Sequence, residues 1–183
     1  MVKTLSARTN VACMALLLAA LVVVNLYRAW TQSITYDEAV TYDAFVVGPM
    51  SHAFTGYNAN NHVLFTILAK VTTGAVGTSE LGLRLTSVVA GAVYFVAVFF
   101  LCRLLFGSAM IFSMAVAGLA LNPLVLDFFS AARGYGLALA LFMAAFYQVA
   151  VLLVRSSSDG IARTHRWVAV SLVGLIRFGG QVS

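Results

Sequence analysis

The stretch Val11–Val24, VACMALLLAALVVV, holds fourteen consecutive apolar residues and continues as NLYRAW to Trp30. An α-helix rises about 1.5 Å per residue and a bilayer's hydrocarbon core is about 30 Å thick, so roughly 20 such residues cross it. Val11–Trp30 has that length. Lys3 and Arg8 precede it as basic residues precede the apolar run of a secretory signal, but no small-residue cleavage site follows the exit Asn25-Leu-Tyr-Arg-Ala-Trp30. The segment reads as an uncleaved anchor, with a signal peptide as the lesser reading.

The rest of the 183-residue chain agrees: 62% of it is hydrophobic and 9% charged, with a mean hydropathy of +0.97. Soluble domains carry about 25% charged residues. Disorder, a disulfide scaffold and a nucleic-acid module are excluded, and the net charge of +5 comes from eleven scattered basic residues. Cys13 and Cys102 both sit in apolar runs and report no redox compartment. Further spans are expected at about 85–106, 109–127 and 134–154, with a partial one at 167–183 that Arg177 interrupts. The expected fold is an all-α polytopic membrane protein, a single transmembrane domain of four to five helices.

His62–Gly77 is short and carries Lys70. Leu64, Ile67, Leu68, Val71 and Ala75 share one helical face and Thr66, Lys70 and Thr73 the other, a pattern suited to a helix lying in the interface. If it does not cross, Lys3, Arg8, Arg103, Arg155, Arg163 and Arg166 fall on one side. Arg28, Lys70, Arg84 and Arg133 then share the other with five of the six acids. Lysine and arginine in short loops mark the cytoplasmic face. The amino terminus is therefore expected inside the cell membrane, with one large outer loop at 31–83 containing amphipathic juxtamembrane helices.

That loop opens Thr35-Tyr36-Asp37-Glu38, the pattern of a capping box. The helix it starts is expected to reach about Gly48, since Pro49 stops it, with Val40, Ala44 and Val47 toward the membrane. Adjacent residues on a helix point about 100° apart, so Asp37 and Glu38 do not form a dyad. One faces a substrate while the other caps or orients; plain capping by both is the alternative. Tyr57–His62 is a polar turn, and neither His52 nor His62 belongs to a ligand pattern that would hold zinc. At the next outer junction Asp127 and Arg133 flank a turn. Arg133 pairs with Asp127 and Arg84 snorkels in one reading; in the other, both guanidinium groups hold a lipid phosphate.

The acidic pair after the first span, the Asn61-His62 opening of an amphipathic segment, ELGLRLTSVVAG (Glu80–Gly91) and FFSAARGY (Phe128–Tyr135) together resemble membrane glycosyltransferases of the GT-C superfamily. The nearest groups are the bacterial family 39-like enzymes related to protein mannosyltransferases and aminoarabinose transferases. The resemblance covers roughly Val11 to Val154. It implies a large first outer loop and transfer of a sugar from a polyprenyl-phosphate donor to an unknown acceptor on the outer side. By position it makes Asp37 the catalytic base, with Glu38 its neighbour in the motif. Asn61 and His62 shape the cavity, and Arg84, Arg133 and Tyr135 lie near the donor phosphate. No cofactor is certain, and a divalent metal is left open, as some members of the superfamily use one. The partners implied are the lipid-linked donor and membrane lipids, with no nucleic acid.

The chain departs from many such relatives at Ala131, where they carry glutamate, and it has far fewer spans. Its ending, IRFGGQVS from Ile176, reads as a truncation or frame change. Two other classes compete. One is a small transporter or flippase-like protein. The other is a non-catalytic docking subunit that packs through Gly82, Ala90, Gly91, Gly118, Gly134 and Gly136.

Overall fold

The computed structural model describes residues 2–55 and 61–156; most of the Tyr57–His62 turn and the partial span at 167–183 lie outside them. The described residues are helical, with no strand among them. The order is α1 (Val2–Thr31), α2 (Tyr36–Thr41), α3 (His52–Thr55), α4 (Val63–Val76), α5 (Glu80–Leu105), α6 (Ala109–Ala120), α7 (Pro123–Ser130) and α8 (Gly134–Ser156). Three stretches, Arg8–Thr31, Glu80–Leu105 and Gly134–Arg155, are long and apolar enough to cross a membrane. The bent pair α6–α7 makes a fourth if it counts as one span.

α5 is the hub and packs against α1, α4, α6, α7 and α8. Around it Leu18 and Leu21 of α1, Phe112 and Val116 of α6, Phe129 of α7 and Ala140 and Met143 of α8 close on Tyr94, Phe95, Val98 and Leu101. The rings of Tyr94 and Phe129 lie 5.1 Å apart, and Phe95 meets Phe129 edge-on at 5.8 Å. Gly91 lets α7 come this close, because a Cβ there would stand 2.9 Å from the Phe129 side chain.

The expected span at 109–127 is not one continuous helix. α6 and α7 meet at 53°. Pro123 has no N–H to give the Leu119 carbonyl one turn back, and the Tyr94 hydroxyl donates to that carbonyl instead, at 3.0 Å. The Asn122 side chain restarts the helix by accepting from Leu124 N at 3.0 Å. α1 and α5 begin earlier than their apolar runs. For α5 the cause is a cap: Ser79 Oγ accepts from Gly82 N at 3.1 Å.

The first loop folds as two short helical pieces and α4. α2 runs on into a π-helical turn, Tyr42–Val46, ahead of Gly48 and Pro49. Lys70 of α4 donates to the Val46 carbonyl at 2.8 Å and to the Gly48 carbonyl, taking acceptors that the ended helix leaves free. Val47 is exposed, whereas Phe45 and Val46 pack inward. α4 ends at Gly77, whose φ of 102° suits a residue without Cβ.

α4 is turned inside out relative to a soluble amphipathic helix. Thr66 and Thr73 are buried with Phe65 and Ala69, whereas Val71 is 61% and Val76 54% exposed. Elsewhere large apolar side chains stand outward in helical stripes: Val89, Val93, Val96 and Phe100 on α5, and Phe142, Phe146, Val149 and Leu153 on α8. Four of the glycines expected to form a docking face are spent within the chain. Gly82 lies against Gly77, Gly91 against Phe129, Gly134 against His62 and Gly136 against Phe128.

Candidate functional site

Two acidic residues leave the first turn of α2 in different directions. Glu38 points inward and is fully buried, 0% exposed. Its Oε2 accepts from the Thr35 backbone N–H at 2.9 Å and from the Thr35 hydroxyl at 3.0 Å, so the carboxylate reaches back across the helix start as the capping pattern requires. Arg84 of α5 grips the same carboxylate with two parallel bonds, Nε to Oε1 and Nη2 to Oε2, both 2.7 Å. Ala132 N, in the turn between α7 and α8, adds a bond of 2.6 Å to Oε1.

Arg84 has donors left for the end of α1. Nη1 donates to the Ala29 carbonyl at 3.2 Å and the Gln32 carbonyl at 2.5 Å, and Nη2 to the Ser33 carbonyl at 2.9 Å. All five guanidinium N–H groups are therefore used. The pair ties α1, α2, α5 and the α7–α8 turn at one point. Burial alone would raise the Glu38 pKa, but the bonds from Arg84, Ala132 and Thr35, with the arginine's charge, outweigh it and bring the carboxyl down to about 2. Arg84 is neither snorkelling nor free for a phosphate, which corrects its expected place beside the donor. Glu38 is correspondingly a frame residue.

Asp37 faces the other way. Its Oδ2 accepts from Arg133 Nη2 at 2.5 Å, and the two side chains are 41% and 37% exposed. Arg133 thus does not pair with Asp127, which binds Arg28 and joins α1 to α7. The turn after α7 delivers Arg133 while Ala132 N is held by Glu38, so the buried pair positions the exposed one. The Arg133 Nε is buried and has no partner among the described residues.

Asp37, Thr41, His62, Arg133, Gly134 and Tyr135 line an open cleft of about 50 Å³ floored by Phe65 and Ala132. That volume takes a hydroxyl group and a water or two rather than a sugar ring. His62, which precedes α4, meets Tyr135 edge-on with ring centroids 4.9 Å apart. Burial pushes its imidazole below the usual 6.5 and keeps it neutral. Gly134 permits this contact, because a Cβ there would stand 2.2 Å from His62 Cγ.

Of the residues expected at the site, Asp37, His62, Arg133 and Tyr135 come together in the cleft. Asn61 does not line it. Its Nδ2 donates to the Ala53 carbonyl at 3.0 Å and its Oδ1 accepts from Thr66 at 3.3 Å, joining α3 to α4. Thr41, Phe65, Ala132 and Gly134 also line the cleft and were missed in the sequence; for Thr41 the signal was the four-residue spacing from Asp37, one turn along α2. Among the described residues no three His, Cys, Asp or Glu side chains group as a metal site. With one carboxylate and one imidazole, the cleft is poor in the oxygen ligands hard divalent cations take, and does not fit a resident metal.

The described chain is thus an α-helical protein with three or four helices fit to cross a membrane and a small charged cleft at one end of them. Compared with known proteins it matches no family model, no curated protein and no solved structure.

Proposed function

We propose that the chain is a membrane glycosyltransferase that moves a sugar from a polyprenyl-phosphate donor to an acceptor hydroxyl at the outer face of the cell membrane. The bilayer part of this reading is supported by length. Arg84 binds the Ala29 carbonyl, and residues earlier in α1, Ala15 to Val22, meet residues later in α5, Ala92 to Phe100, so the two helices run antiparallel from a common level. The residues from Arg8 to Ala29 and from Arg84 to Arg103 rise about 32 Å and about 29 Å, the thickness of a hydrocarbon core. The outward apolar stripes and the inverted face of α4 fit lipid as their solvent, and the basic residues at the Arg8–Arg103 end favour a cytoplasmic amino terminus.

The observation that carries the chemical part is Asp37, a carboxylate at the mouth of a cleft shared with Arg133, His62 and Tyr135 and held there by the Glu38–Arg84 frame. In the resting protein Arg133 binds Asp37. A donor phosphate competes for that guanidinium. Its arrival frees the carboxylate. The acceptor hydroxyl oxygen then attacks the anomeric carbon and its proton passes to Asp37, while the carbon–oxygen bond to the phosphate breaks and the electron pair leaves with the polyprenyl phosphate. Arg133 stabilises the charge growing on that phosphate. Neutral His62, packed on Tyr135, shapes the wall the hydroxyl slides along.

The test is transfer by membranes containing the chain, supplied with radiolabelled polyprenyl-phosphate mannose or aminoarabinose. Asp37→Asn is expected to lower transfer by about 10²-fold or more while the amount of folded protein stays the same. Full activity in that variant would remove the base assignment, and flux of a soluble substrate into vesicles free of lipid-linked sugar would favour a transporter.

A further inference from the structure

Midway along the bundle, between the cleft and the Arg8–Arg103 end, α1 and α5 part to leave an apolar groove of about 260 Å³. Ala15, Ala19 and Val22 form its α1 wall and Ala92, Val96 and Phe99 its α5 wall. The small side chains on α1 make the hollow, and the exposed Val96 and Phe100 leave it open sideways along the helix axes.

The two walls end in cations. Seven residues are nearly two full turns of helix, so residues that far apart lie within about 20° of one another. Arg8 is seven residues before Ala15, and Arg103 seven after Val96. Each therefore extends its own wall of the groove. Counted from the shared level of Ala29 and Arg84, the two lie within about 3 Å of the same depth. Both are exposed. The five acids among the described residues, Asp37, Glu38, Asp43, Glu80 and Asp127, all lie toward the opposite end of the bundle.

We propose that this groove and its two arginines form a binding site for an anionic phospholipid of the cytoplasmic leaflet. One acyl chain lies in the groove between α1 and α5, and the headgroup phosphate sits between Arg8 and Arg103. An apolar slot leading away from a pair of guanidinium groups at one depth is the shape and charge of such a lipid, whose phosphate accepts their hydrogen bonds. A zwitterionic lipid fits the slot but gains less from the charge. The inference rests on α1 and α5 crossing a bilayer and owes nothing to the transfer chemistry.

The test uses the full chain with Trp30 and Trp167 replaced by phenylalanine, which removes both native tryptophans, and one reporter introduced by Phe100→Trp in the groove. A second reporter, Phe142→Trp, stands on the outward stripe of α8. Each is reconstituted in dioleoyl-phosphatidylcholine vesicles, and quenching by dibrominated phosphatidylglycerol is compared with quenching by dibrominated phosphatidylcholine. The groove reporter is expected to favour the anionic lipid by about fivefold or more, and the α8 reporter to show no preference. Arg8→Gln with Arg103→Gln is expected to bring the groove ratio to about one and leave the α8 reporter unchanged.

Equal quenching by both lipids in the groove, or a preference that survives loss of both arginines, overturns the proposal. So does a groove reporter quenched by neither lipid while the α8 reporter is quenched by both, since protein, such as a second copy, then covers the groove. Quenching of neither reporter by either lipid refutes the membrane reading on which the site rests, and the proposal falls with it.

Discussion

The ion pairs Glu38–Arg84 and Asp37–Arg133 begin at adjacent residues and join the same two chemical groups, yet one is a buried frame and the other sits in the cleft, where the proposed function uses it. The first is buried, bidentate and surrounded by further bonds: Thr35 and Ala132 complete the carboxylate, and three carbonyls from the end of α1 and just beyond it complete the guanidinium. The second has a single bond, is half-exposed and leaves a buried arginine nitrogen unpartnered. A buried charge pair is costly to form and more costly to break by halves. An exposed one contributes little to stability and exchanges partners readily. Neighbouring carboxylates thus take opposite roles because a helix turns about 100° per residue, which aims one at the core and the other at the cleft.

The largest effect should come from breaking the frame. Arg84→Met leaves Glu38 buried without its counter-charge and strips three carbonyls at the end of α1, a loss of about 3–5 kcal/mol. Thermal unfolding followed by circular dichroism in detergent should show it; a midpoint like that of the unaltered chain would mean that the pair holds nothing together.

The same pair gives a pH signature. The Glu38 carboxyl titrates at about 2 in the folded protein against a usual 4.5. The unfolded chain therefore binds this proton more readily. The stabilisation is complete above about pH 4.5 and is lost as pH falls from there through about 2, a total of about 3 kcal/mol. Denaturant titrations across that window should show the decline in the unaltered chain and a flatter profile in Glu38→Gln. Identical profiles would place the acid sensitivity elsewhere.

Gly134→Ala sharpens the comparison from the cleft side. The added Cβ collides with the His62 ring, at a cost of about 1–3 kcal/mol, and moves His62 off Tyr135. Transfer should fall further than this modest destabilisation explains. Activity that follows the folded fraction alone would make the His62–Tyr135 contact mere packing. The smallest stability change is expected for Arg133→Gln, within about 1 kcal/mol, accompanied, under the proposed function, by weaker binding of a lipid-linked donor. A midpoint drop as large as that of Arg84→Met would erase the distinction between the two pairs.

Much of this division was written in the sequence, though not its partners. Thr35 and Glu38 at capping spacing announced a carboxylate reaching back across the helix start, because that pattern is local, but the same spacing allowed both acids to cap, and Asp37 binds Arg133 instead. The apolar runs of α1, α5 and α8 were legible for the same reason. Which arginine meets which acid depends on residues up to 99 positions apart, so a reading from local spacing paired Arg133 with the nearby Asp127. Burial of Arg84 was hidden because a lone arginine opening an apolar helix looks like one that snorkels. The α6–α7 break had a visible cause in Asn122-Pro123, but the apolar run on either side masked it. The polar face of α4 was recognised as a face, while its direction depends on Lys70 and Thr72 meeting neighbours on other elements.

The most direct test of the account is a side-by-side comparison of Asp37→Asn and Glu38→Gln, in which sugar transfer is divided by the folded fraction that gel filtration recovers from membranes. Asp37→Asn is expected to recover as much folded protein as the unaltered chain and to lose about 10²-fold or more of its specific transfer. Glu38→Gln should lose folded protein, while the fraction that remains keeps most of its specific transfer. The reverse pattern, with Asp37→Asn active and Glu38→Gln folded but inert, would contradict the assignment of the base and of the frame together.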